Sequence, residues 1–157
     1  MSAPTLKILV VDDERVVRHV CQLSLEQENY EIFTAENGMK AMEILLTDPG
    51  IAIILSDLKM PGMTGMELLQ IIKRDFPHLE AIIMTGYATI EIAIDAMKIG
   101  AYDFLLKPLT AEQIRLVVNK CREKIELSHE NRALKLANEK LRELQNLKDK
   151  FIAITSH

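Results

Sequence analysis

The chain has 157 residues, 48% of them hydrophobic, with 19 basic residues against 23 acidic and a net charge of −4. That length supports one domain with a real core and some chain left over, and so mild a charge balance gives no reason to expect a nucleic-acid or membrane-surface partner. The apolar runs are far too short to span a bilayer, and the N-terminal MSAPTLK has no secretory pattern, so a cytoplasmic protein without a membrane segment is expected.

In chain order, LKILVV (6–11) reads as a buried strand and ERVVRHVCQLSLEQE (14–28) has helical periodicity. EIFTA (31–35) is a short strand, GMKAMEILL (38–46) a helix and IAIILS (51–56) a fully apolar strand. GMELLQIIKRD (65–75) is helical, EAIIMT (80–85) a strand, ATIEIAIDAMKI (88–99) a helix and AYDFLLK (101–107) the last strand. Five strands alternating with helices predict an α/β fold: a five-stranded parallel, doubly wound sheet with helices on both faces. Cys21 and Cys121 sit in helical patterns without metal-like spacing, as reduced packing residues do.

All six glycines and all five prolines lie at or before Pro108. With no breaker after it, one long helix is expected from an N-cap at Thr110 to His157, about 70 Å at 1.5 Å per residue. The chain divides accordingly into a globular domain, 1–124, and a helical segment, 125–157.

Ligands of an open parallel sheet bind outside the carboxyl ends of its strands. The first strand runs into Asp12 and Asp13, the third into Asp57, the fourth ends in Thr85 and the fifth in Lys107-Pro108. Either of the first two aspartates would also serve as the N-cap of the first helix. Gathered at one edge, these residues suit an oxyanion site built around a cation. Clustered carboxylates repel unless a hard divalent ion lies among them, and Mg²⁺ is the natural candidate. One carboxylate can then act as a nucleophile on phosphorus, with lysine and threonine donating to phosphoryl oxygens.

The segments ILVVDDE, LSDLKMPGMTGMELL, IIMTGYA and GAYDFLLKP, in this order, resemble the receiver domain of two-component response regulators over about residues 5–125. The resemblance implies a flavodoxin-like fold with Asp57 as phosphoacceptor. It implies that Mg²⁺ is held by Asp12, Asp13, Asp57 and the backbone carbonyl of Lys59. It makes Thr85 the switch hydroxyl, Lys107 the phosphoryl-binding cation and Phe104 the rotating aromatic, and it implies a cis Lys107–Pro108 bond. Lys59 and Tyr87 fall at positions that border the phosphoryl group in that family. The phosphodonor would be a histidine kinase or a phosphotransfer protein.

Along the last helix Leu127, Leu134 and Leu141 recur every seven residues, and Ala137, Leu144 and Phe151 continue the seam in a second register. A coiled coil is expected, in a parallel homodimer. A second phase would put Asn131, Asn138 and Gln145 at core positions, at a cost in stability. LKDKFIAITSH also resembles the start of a histidine kinase dimerisation helix, which makes His157 a second candidate phosphoacceptor. The expected whole is then the front of a hybrid kinase, without an ATP-binding domain and so no ATP-dependent kinase by itself. About 50 Å of helix would separate His157 from the globular part, too far for exchange of phosphate with Asp57. The rival is a stand-alone response regulator whose coiled coil is a dimeric interaction module. An aspartate-based phosphohydrolase of the haloacid dehalogenase kind would need Asp-x-Asp-x-Thr where this chain has Asp12-Asp13-Glu14.

Overall fold

The computed structural model describes residues 5–86 and 90–155, the side chains of Ile90 and of 153–155 apart. The elements are β1 (Leu6–Val11), α1 (Arg15–Glu26), β2 (Tyr30–Ala35), α2 (Gly38–Thr47), β3 (Ile51–Asp57), α3 (Gly65–Asp75), β4 (Glu80–Thr85), α4 (Ile90–Ile99), β5 (Asp103–Leu106) and α5 (Ala111–Thr155). All strand pairs are parallel, in the order β2-β1-β3-β4-β5. The expected doubly wound α/β sheet is therefore present.

The central strands read as unbroken apolar runs because helices cover both faces of the sheet. Leu9, Val11, Ile54 and Ile83 share one buried cluster with Leu45, Leu68, Leu69 and Ile72 from the helices. The edge strand β2 is less enclosed, and its Glu31 and Thr34 are exposed. The helices start as their sequences direct: Asn37 accepts from the Lys40 N–H (2.9 Å), Thr64 from Glu67 (3.2 Å) and Thr110 from Gln113 (3.2 Å).

Several boundaries differ from the sequence pattern. The first helix stops at Glu26, and Asn29 takes a left-handed φ of 61° before β2 begins one residue early at Tyr30. The last strand covers 103–106 rather than 101–107. Gly100 (φ 124°) and Ala101 both donate their N–H to Ala96 O, so these residues close α4 instead of extending the sheet. The Lys107 N–H still donates to Thr85 O at 3.0 Å, which carries the ladder one residue past β5. The helix expected over 88–99 is present from Ile90 to Ile99, and its expected first residues, 88 and 89, lie outside the described residues.

The chain packs as two compact units, residues 1–121 and 122–157. In the second, Leu127, Leu134, Leu141, Leu144, Leu147 and Phe151 are all more than half exposed on the helix. Among the described residues, no helix is long and apolar enough to cross a membrane.

Candidate functional site

Strand register alone brings the distant carboxylates together. Val11 of β1 pairs with Ser56 of β3, so the next residues, Asp12 and Asp57, are neighbours. Asp57 pairs with Met84 of β4, and Thr85 with Leu106 of β5, so Thr85 and Lys107 complete the row. The chain reverses direction across the sheet between β1 and β3, where ligands of such folds bind.

One carboxylate oxygen from each of Asp12, Asp13 and Asp57 lies within 4.8 Å of the others. Asp12 and Asp57 are buried and Asp13 is exposed, so the cluster opens to solvent on one side. Lys107 Nζ lies 2.8 Å from Asp12 Oδ2, 3.0 Å from Asp57 Oδ2 and 3.9 Å from Glu14 Oε1. Burial pulls the Lys107 ammonium down, but Asp12 and Asp57 outweigh it and hold its pKa above the usual lysine value. Lys107 therefore stays charged at any physiological pH.

Asp12 is the most constrained member. Its N–H donates to Ala35 O at 3.1 Å, its Oδ1 accepts from the Glu14 N–H at 2.9 Å, and its carbonyl accepts from Arg18 Nη1 at 2.7 Å. The residue is the N-cap of nothing: Glu14 takes that position for α1, without a side-chain cap bond. Asp12 Oδ2 is buried without an aligned hydrogen bond, with the Lys107 ammonium in ion-pair contact at 2.8 Å. Desolvation raises the Asp12 pKa, against the pull of Lys107 and the Glu14 N–H.

A buried carboxylate oxygen lacking a hydrogen bond, beside two more carboxylates, has the chemistry of a hard-cation site. All-oxygen donors of this kind suit Mg²⁺. Asp12, Asp13 and Asp57 fit that ion as a partial set open to water and phosphoryl ligands.

Asp57 Oδ1 accepts from the Lys59 N–H at 3.2 Å, so the turn after β3 curls over the carboxylate. That turn is possible because Gly62 adopts φ 81° and Gly65 lies against the β3 backbone, its N–H on Leu58 O at 3.0 Å. Thr85 is buried at the end of β4. Phe104 is partly buried against the core cluster. The Lys107–Pro108 bond is cis. Tyr87 and His157 lie outside the described residues. Sequence reasoning missed Arg18 and Glu14, which read only as polar positions of a helix and its approach. Beneath the site, Cys21 Sγ meets Met84 Sδ at 3.7 Å, and desolvation pushes the Cys21 thiol up to about 12, so it is a packing group rather than a nucleophile.

The fold and site define a flavodoxin-like α/β domain with an acidic, lysine-braced pocket at its switch point. The family model for the response regulator receiver domain matches residues 8–119. A putative NtrX-like response regulator from Rickettsia felis is 36% identical over 132 residues, which cover 83% of this chain and 28% of that protein. The C4-dicarboxylate transport transcriptional regulatory protein DctD of Rhizobium meliloti is 34% identical over 138 residues, 88% of this chain and 29% of that one. The crystal structure of a response regulator receiver domain protein from Clostridium thermocellum superposes with a TM-score of 0.73 at 35% identity, covering 78% of this chain and 98% of that one. The chain belongs to the response regulator receiver domain family. It spans less than a third of the length of these two curated relatives.

Proposed function

We propose that the domain is a phosphorylation-controlled switch whose acceptor is Asp57. The observation that carries this is the Asp57 carboxylate, fixed between Lys107 Nζ at 3.0 Å and the Lys59 N–H at 3.2 Å, within a three-carboxylate cluster. An Asp57 oxygen forms a new bond to phosphorus while the bond from phosphorus to the donor's leaving group breaks, and the leaving group departs with the electron pair. Lys107 and the Thr85 hydroxyl receive the phosphoryl oxygens. Asp12, Asp13, Asp57 and the Lys59 carbonyl would hold Mg²⁺, whose charge would let an anionic donor approach the three carboxylates. Phe104, two residues along the chain from Leu106, the partner of Thr85, reports the state of the site to the β4–β5 side. The donor is a histidine kinase or a phosphotransfer protein.

The test is intact-mass analysis after incubation with acetyl phosphate. Wild type is expected to gain one phosphoryl group in the presence of Mg²⁺, and Asp57→Asn none. Equal labelling of the two proteins, or labelling indifferent to chelator, would remove Asp57 from this role.

The helical segment 125–157 is the output, a parallel homodimer through the leucine seam. Six large apolar side chains spaced along one exposed helix support it. A chain ending at Lys124 is expected to sediment as a monomer at concentrations where the full chain is dimeric. Identical sedimentation of both would place the dimer interface elsewhere or nowhere. Beyond the helix the signal goes either to a histidine kinase region or to the output module of a response regulator. The names of the relatives, a response regulator and a transcriptional regulatory protein, favour the second.

A further inference from the structure

We infer that Arg18 is a positioning residue for the cation site, acting through the backbone of Asp12. The inference rests on the cation-dependent reading of the site given above.

Asp12 follows the last residue of β1, and α1 starts three residues later. Its carbonyl therefore has neither a ladder nor a helix partner by default, and an unpaired carbonyl there would leave the peptide free to rotate. Arg18 supplies the partner. The first bond of α1 runs from the Arg18 N–H to Glu14 O at 3.2 Å, which puts Arg18 one turn into the helix. Helical side chains lean toward the N-terminus, so its guanidinium reaches back to Asp12 O, at 2.7 Å. This is a charge-assisted bond at the short end of its range.

The consequence is specific to Asp12. With its N–H on Ala35, its Oδ1 on Glu14 and its carbonyl on Arg18, the residue is held at three points. The remaining oxygen, Oδ2, is the one left to Lys107 and a cation. The same carbonyl belongs to the peptide linking Asp12 to Asp13, so fixing that plane also sets where Asp13 starts. Arg18 is half-buried and its guanidinium bonds the Asp12 carbonyl rather than a carboxylate, so its influence runs through the main chain. It occupies a shallow cleft with Arg15, His19, Gln22 and Thr34, on the α1 side of the β1–α1 turn.

The test measures Mn²⁺ binding by the electron paramagnetic resonance signal of the free ion, on the full chain. Arg18→Met keeps the aliphatic stem and removes the donor, while Arg18→Lys restores one donor at a similar reach. Loss of a partner that orients a metal ligand costs 10- to 100-fold in affinity, so the Mn²⁺ dissociation constant of Arg18→Met is expected to rise roughly tenfold, with Arg18→Lys recovering much of it. In the acetyl phosphate assay the half-saturating Mg²⁺ is expected to rise in parallel, and excess Mg²⁺ to recover labelling, which a damaged fold would not allow. Wild-type affinity in Arg18→Met, or equal loss in Arg18→Lys and Arg18→Met, overturns the positioning role. Failure of the wild-type chain to bind Mn²⁺ overturns the cation site itself, and the two failures are told apart by that single control.

Discussion

Gly65→Ala is expected to lose about 3 kcal/mol of stability, at the upper end for overpacking. A Cβ at Gly65 would stand 2.1 Å from Asp57 O and 2.6 Å from Leu58 Cα. Both obstacles are main-chain atoms, so no rotamer change relieves them. Either α3 retreats or the turn carrying Asp57 and Lys59 shifts, and both routes break the Gly65 N–H bond to Leu58 O. Gly62→Ala is the control: its φ of 81° strains an L-residue, but nothing lies within 4 Å of the added carbon. Its cost is expected near 1 kcal/mol. Urea titration followed by far-ultraviolet circular dichroism measures both, since the chain has no tryptophan. Wild-type stability in Gly65→Ala would mean that α3 does not approach β3 this closely.

Asp12→Asn is expected to have the opposite sign: a more stable metal-free protein that no longer responds to Mg²⁺. Desolvation holds the Asp12 pKa above its usual range despite Lys107 and the Glu14 N–H. A carboxyl raised in the folded state binds its proton more tightly there than in the unfolded chain. It favours folding below the unfolded carboxylate range, and that contribution is lost as pH rises through the raised value. At pH 7 the ionised group therefore works against the fold. Asparagine keeps the shape and the oxygen that accepts from Glu14, removes the charge, and leaves Lys107 paired to Asp57. With chelator at pH 7 a gain of about 1 kcal/mol is expected, the ordinary scale of a single substitution, and it should shrink toward pH 4. Mg²⁺ at ten times its dissociation constant should stabilise wild type by about 1.4 kcal/mol and the variant far less. A variant less stable than wild type in chelator would show that the pairing with Lys107 outweighs desolvation.

The sheet and most of the site were legible because their signals are local. Buried parallel strands are apolar along most of their length, so β1, β3 and β4 stand out, and the polar residue at or just past each carboxyl end is read directly. β5 was overextended because Ala101 and Tyr102 are as apolar as a strand requires; only the positive φ of Gly100 and two bonds to Ala96 O assign Ala101 to the end of α4. Arg18 was invisible for a different reason. Its bond is to a carbonyl, and every residue has one, so no side-chain pattern marks the acceptor. Glu14 likewise approaches Lys107 only through a distance set by folding.

Lys107 is the last of the site's groups to leave the ribosome, after all three aspartates. Until the end of β5 reaches the sheet, the nascent domain would have to bury Asp12 and Asp57 side by side with no countercharge, a costly arrangement in a low dielectric. Closure of the edge strand and neutralisation of the pocket are thus one event, because the ammonium arrives on the residue whose N–H extends the ladder to Thr85. A chain interrupted anywhere before residue 107 lacks the ammonium that faces Asp12 and Asp57. The charge arrangement that serves the pocket thus ties its balance to the last strand laid on the sheet.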